Sequence, residues 1–180
     1  MAAAAPGGTG GSLSAQGYYV CIKRTLHAAL CITNYPSQTV ERHNKPEVET
    51  GASEELLLNP VTICRDESER VLIETGINSV RVSVEFHKGP GMGAFIAQKY
   101  VSFLEQRAER FHILRRKPTK GYDISFLITN DEAETMHKHK VIDFIVQFMS
   151  DVQEDLTGMR MLVNARFARA SEALLKAMVA

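Results

Sequence analysis

The chain has 180 residues, 44% of them hydrophobic, and its 21 basic side chains are matched by 21 acidic ones. A neutral chain of this size suits one globular domain, alone or with an appendage. It speaks against a general binder of nucleic acid or anionic membrane, which is basic as a rule. Cys21, Cys31 and Cys64 are odd in number and show no CxxC spacing, so reduced cytosolic thiols fit better than a disulfide framework or a zinc site; no run has the length of a membrane span.

The opening MAAAAPGGTGGSLSAQG lacks the positive start and apolar core of a secretory signal. Its Ala/Gly/Ser composition predicts a disordered tail over residues 1–17. Residues 16–34 read as a helix, with Ile22, Leu26, Ala29, Leu30 and Thr33 on one side and Pro36 as the stop. Residues 36–54, with Pro36, Pro46 and Gly51, form a polar connection without periodicity. Leu56–Arg65 is apolar and β-branched, but Pro60 cannot donate to a ladder, which predicts an edge strand or a bulge. Arg70–Thr75 is a short strand, Gly76 and Asn78 supply a turn, and Val80, Val82, Val84 and Phe86 alternate with Arg81, Ser83 and Glu85. That alternation marks a strand with one buried face.

GPGMG (89–93) ends this strand, and a helix is expected from about Ala94 to Arg110. A hairpin follows, Ile113–Lys117 and Tyr122–Thr129 flanking Pro118-Thr119-Lys120-Gly121. Thr129 or Asn130 caps the last helix, with acidic residues in its first turn. The order α-β-β-β-α-β-β-α implies an α+β fold: a two-layer antiparallel sheet with helices on one face. The chain thus divides into the tail (1–17), an α+β domain (18–130) and a long C-terminal helix (131–180).

That last helix carries the main functional signal. One apolar stripe runs through Val141, Ile145, Phe148, Val152, Leu156, Met159, Val163, Phe167, Ala170, Leu174 and Met178, in steps of three and four. Eleven-residue spacings link Val141, Val152, Val163 and Leu174. A helix from about Asp131 to about Met178 is roughly 70 Å long. A domain of this size, with a radius of gyration of roughly 16 Å, cannot cover such a rod, so the stripe requires a partner. Gly158 could bend the helix, but the stripe keeps its phase through it, which favours continuity.

Catalytic chemistry finds little support. GPGMGA (89–94) matches a GxGxxA dinucleotide fingerprint, yet a hairpin follows where a βαβ unit needs a parallel strand. His137 and His139 are two apart on a helix and cannot chelate one ion from one face. No nucleophile stands with a recognisable base. Arg115, Arg116 and Lys117, with Lys120, give a basic hairpin, and Arg65 and Arg70 flank the first strand connection. The set suits a solvated hairpin, an acidic protein surface or an RNA, though an RNP-type aromatic pattern is missing. A nucleotide-binding module and a stand-alone chaperone-like adaptor remain as competing classes.

ERHNKPEVE (41–49), ELLLNPVTI (55–63), INSVRVSV (77–84), FHILRRKPTKGYDISFLITN (111–130), KHK with VIDFIVQFM (138–149) and VNARFARASEALLK (163–176) resemble subunit four of the actin-related protein 2/3 complex. The likeness runs from about residue 20 to the end. It implies a cytoplasmic scaffold of the actin cytoskeleton without catalytic activity or cofactor, since ATP belongs to the actin-related subunits. It also implies an obligate pairing with subunit two through long C-terminal helices. On this chain that interface maps to Val141, Ile145, Phe148, Val152, Leu156, Met159, Val163, Phe167 and Leu174. The pair supports the two actin-related proteins and contacts the side of the mother filament; Arg65, Arg70, Arg115, Arg116 and Lys117 are the candidates for contact with the filament or a neighbouring subunit. Neither nucleic acid nor membrane is an expected partner.

Overall fold

The computed structural model of the chain describes residues 13–32, 45–51, 57–86, 113–115, 117–129, 132–133 and 137–179. The expected tail up to residue 12, the GPGMG segment, the expected helix at 94–110 and Arg116 lie outside the described residues. The elements are α1 (Ala15–Ile32), α2 (Glu47–Thr50), β1 (Val61–Cys64), β2 (Arg70–Thr75), β3 (Ser79–Glu85), β4 (Ile124–Thr129) and α3 (Lys138–Val179).

The strands form one sheet in the order β1-β2-β3-β4, antiparallel throughout. Register follows alternation. Val71 sits opposite Val84 and Ile73 opposite Val82, while Val80, Val82 and Val84 face Ile128, Phe126 and Ile124. These side chains are all buried and form one core with Tyr18, Ile22, Leu26, Ala29 and Leu30 of α1 and with the first half of α3. The helices thus cover one face of the sheet, a two-layer α+β architecture with a long C-terminal helix. The opposite face carries ion pairs directly across the ladder, Arg70 with Glu85 and Arg81 with Glu74, each at 2.6 Å. It also holds a buried hydroxyl cluster in which Ser83 Oγ lies 2.9 Å from both Ser125 Oγ and Thr119 Oγ1.

The boundaries differ from the sequence expectation for physical reasons. The first strand is only Val61–Cys64. Leu57 bridges Gly76 and Val61 pairs with Ile73, so four steps on one side meet three on the other. The extra residue is a bulge beside Pro60, at the sheet edge. The first arm of the later hairpin is reduced to a bridge between Leu114 and Phe126, with Leu127 N–H donating to Ile113 O (2.7 Å) and Arg115 N–H to Ser125 O (2.8 Å). Pro118 lacks the donor needed to extend it. The turn is Thr119–Tyr122, closed by Tyr122 N–H to Thr119 O at 3.0 Å, with Gly121 at φ 89° in the third position that favours glycine.

α2 falls in the stretch read as a polar connection without periodicity. It is capped from far away: Asn78 Oδ1 accepts from Glu47 N–H (2.9 Å) and Ser79 Oγ from Val48 N–H (3.4 Å). α3 begins at Lys138 and not at Asp131. Thr129 and Glu132 form a reciprocal capping box, Thr129 N–H to Glu132 Oε2 (2.8 Å) and Glu132 N–H to Thr129 Oγ1 (3.4 Å), that opens a separate turn. The long helix starts anew after His137, whose carbonyl accepts from Lys140 and Val141 N–H.

α1 is capped by Ser14, whose Oγ accepts from Gly17 N–H at 3.1 Å. It runs antiparallel to α3. Lys138 Nζ donates to Leu30 O near the end of α1 (3.3 Å), the His27 and His139 rings lie 5.1 Å apart, and Lys23 pairs with Asp143 at 2.6 Å. With 18 and 42 residues, the two helices are ~27 and ~63 Å long. The shorter cannot shadow the longer.

Candidate partner interface

The length mismatch divides α3 into two halves. In the first, Val141, Ile142, Ile145, Met149, Val152 and Leu156 are buried in the chain's own core. Phe148 and Met159 pack on that core half-buried, and the Phe148 ring meets Phe126 edge-on at 5.5 Å. This corrects the expectation that the whole stripe lies uncovered. Val141, Ile145, Val152 and Leu156 are sealed against α1 and the sheet, because the domain reaches farther along the rod than its average radius suggests. Ile142 and Met149 join them because the covered face is wider than a single stripe.

Past Leu156 burial ends. Val163 is half-buried, and no residue from Met159 through Glu172 is buried. Met161, Leu162 and Phe167 are 68%, 64% and 61% exposed, the three most exposed large apolar side chains among the described residues. Phe167 was legible as a stripe position. Met161 and Leu162 were not, although the run Met159-Arg160-Met161-Leu162-Val163 already widens the apolar face. The helix is unbroken through Gly158, which is exposed, with space around its Cα. The side chain of Leu174 lies outside the described residues.

The basic candidates are mostly satisfied within the chain. Arg65 Nη1 meets Glu69 Oε2 at 2.9 Å, and Glu69 is buried. Arg70 pairs with Glu85 and lies over the Tyr122 ring, 5.3 Å from its centroid. Arg115 holds Glu49 bidentately through Nε and Nη2, both at 3.0 Å. Lys117 is exposed. Arg70 on β2 and Arg115 beyond β4 are three strands apart, roughly 14 Å at ~4.8 Å per strand. Arg70 and Arg115 therefore do not adjoin along the ladder, although Arg70 reaches the hairpin turn through Tyr122.

Other chemistry is sparse in the described part. Among the described residues no group of three His, Cys, Asp or Glu side chains could hold a metal ion, and no helix is long and apolar enough to cross a membrane. Tyr18 and Tyr19 sit beside Arg65 and Glu69. Burial pushes the Tyr19 hydroxyl up to about 12 and the Tyr18 hydroxyl higher still, with the Glu69 carboxylate adding to both. The Tyr18 hydroxyl has no hydrogen-bond partner among the described residues.

An α+β domain from which an apolar helix projects past its own core has the anatomy of an assembly subunit. A model of the family described as "ARP2/3 complex 20 kDa subunit (ARPC4)" matches residues 12–177, and the chain belongs to that family. The chain is 56% identical over 149 residues to actin-related protein 2/3 complex subunit 4 of Dictyostelium discoideum, covering 83% of this chain and 88% of the relative. It is 46% identical over 165 residues to the probable subunit 4 of Caenorhabditis elegans (92% and 98% covered) and 47% identical over 165 residues to subunit 4 of Saccharomyces cerevisiae (91% and 96% covered).

Proposed function

We propose that this chain is a non-catalytic structural subunit of an actin-related protein 2/3 complex, acting in the cytoplasmic actin cytoskeleton during branched nucleation. Its distal α3 pairs with subunit two, and the pair forms the core on which the two actin-related subunits rest. The observation that carries the reading is the uncovered stretch of α3, where Met161, Leu162 and Phe167 stand exposed on a continuous helix. Covering that stretch with a partner helix would bury apolar surface of the kind that marks the core of obligate interfaces. The full chain is expressed alone and with tagged subunit two, then sized. Wild type co-purifies with its partner, and Phe167→Asp does not. Undiminished co-purification of Phe167→Asp refutes the pairing.

The core domain also contacts the mother filament or a neighbouring subunit through Arg65, Arg70, Arg115, Arg116 and Lys117. Two of these arginines, Arg70 and Arg115, hold carboxylates partly open to water and can exchange partners on contact, whereas Arg65 is held by the buried Glu69. Lys117, exposed beside the turn, is the first to mutate. Lys117→Glu lowers branch density at low salt with complex assembly intact, while equal branching by wild type and variant dismisses this role.

A further inference from the structure

We propose that the open edge of β1 is a second docking element, on which an extended segment of the chain that covers distal α3 pairs as an added strand. This deepens the pairing reading above and rests on it. β1 ends the sheet, and its ladder partner among the described residues is β2 alone. Ladder parity fixes which of its backbone groups are open. Arg65 N–H donates inward to Glu69 O at 2.9 Å, and Ile63 and Val61 continue the same register against Val71 and Ile73. In an antiparallel pair, inward and outward residues alternate, so Thr62 and Cys64 aim their N–H and C=O groups away from the sheet.

Pro60, the bulge and the shortness of β1 protect the edge at its start, but within Val61–Cys64 there is no lysine or inward charge, and no cover among the described residues. Val61–Cys64 carries no charge, three of its four residues are exposed, and Leu58 beside it is exposed as well. Pro60 limits pairing on one side and the acidic turn after Arg65 on the other, which leaves a window of about four residues. Val61 and Ile63 share the helix side with Val71 and Ile73, so the incoming segment sets an apolar side chain there and a polar one opposite Thr62.

Continuity with the helix interface names the occupant. Lys23 lies against Asp143 and His27 against His139, an antiparallel offset that brings the start of α1 level with residues just short of Leu156. α3 therefore leaves the domain where α1 begins. There Leu13, itself exposed, donates its N–H to Arg65 O at 3.3 Å, beside the end of β1. Distal α3, Leu13 and the β1 edge thus adjoin, and one partner spans them. Two open N–H groups are too few to retain a free peptide, so the strand forms only when the helix contact tethers it.

Hydrogen exchange on the full chain paired with subunit two tests this. Thr62 and Cys64 amides are expected to exchange about tenfold or more slower than the exposed amides of Asp66 and Glu67. Fast exchange at Thr62 and Cys64 with residues 161–172 protected overturns the strand and leaves the helix pairing standing. Fast exchange at 161–172 overturns both. Equal protection of Thr62 and Cys64 without subunit two assigns the edge to a second copy and also overturns the proposal. Thr62→Pro removes an outward donor and spares the β1–β2 ladder. It weakens the pair roughly 2- to 10-fold, and an unchanged dissociation constant overturns the proposal.

Discussion

Truncating Met161, Leu162 and Phe167 together to alanine separates what α3 does for its own domain from what it does for a partner. The three side chains are 68%, 64% and 61% exposed in the unpartnered chain. Full burial of one such side chain is worth roughly 1.5–3 kcal/mol, so covering the exposed two thirds yields ~1–2 kcal/mol each. The sum of ~3–6 kcal/mol is reduced by ordering the side chains, leaving about 2–4 kcal/mol. That converts to a roughly 30- to 900-fold weaker pair with subunit two. The assay is sizing of the tagged pair over a dilution series, with the full chain in both arms. Ile145→Ala is the contrast. Ile145 is fully buried, and its loss costs ~2–5 kcal/mol of the chain's own stability through the cavity left behind. The triple variant loosens the pair with the domain still folded, whereas Ile145→Ala lowers the yield of folded chain. A triple variant that stays paired at wild-type concentrations refutes the argument.

Gly158 lies in the interior of α3, and an added Cβ there meets no atom within 4 Å. Gly158→Ala should stabilise the assembled pair against denaturant by ~0.5–1 kcal/mol, since glycine is the poorer helix former. Tyr18→Phe removes a buried hydroxyl that has no hydrogen-bond partner among the described residues, so it is expected to be neutral or stabilising by ~1 kcal/mol in thermal melts, unlike a typical core substitution. Alkaline pH should destabilise the fold. An unfolded tyrosine gives up its proton near pH 10, whereas folded Tyr19 keeps its own until about 12. The unfolded state therefore binds fewer protons between pH 10 and 12, and stability falls as pH rises through that window. Tyr19→Phe should flatten part of this slope in denaturation midpoints measured across the range.

Local pattern was enough where the stabilising partner is close in sequence. β2 and β3 appeared as read because alternation reports directly on a sheet with one core face. Pro60 foretold the edge and the bulge, since the missing N–H is a property of the residue alone. α2 was illegible because its N-terminal donors are satisfied by Asn78 and Ser79, 31 residues away. The start of α3 was misplaced because Thr129 and Glu132 do form a cap, but for a turn that ends before His137. The basic set was identified by type and not by fate. Nothing local says that Arg115 binds Glu49, 66 residues earlier, or that Glu69 turns inward to Arg65.

The stripe shows most clearly what periodicity can and cannot say. Steps of three and four specify which side of a helix is apolar, and they are the same whether the cover comes from the same chain or from another. What divides Val152 from Phe167 is the length of α1. Its 18 residues reach about as far as Leu156, and no residue from Met159 through Glu172 of the 42-residue helix is buried by the described residues. The composition of the two halves agrees with this division. The covered half presents large aliphatic side chains to a β-rich floor. The uncovered half sets Phe167 among Ala165, Ala168 and Ala170, with Arg166 and Arg169 exposed between them. Small residues around one large aromatic permit close approach of a second helix and concentrate the binding energy at that aromatic, as in interfaces dominated by a few anchors. On this argument Phe167→Ala alone should account for more of the loss of pairing than Met161→Ala and Leu162→Ala do singly.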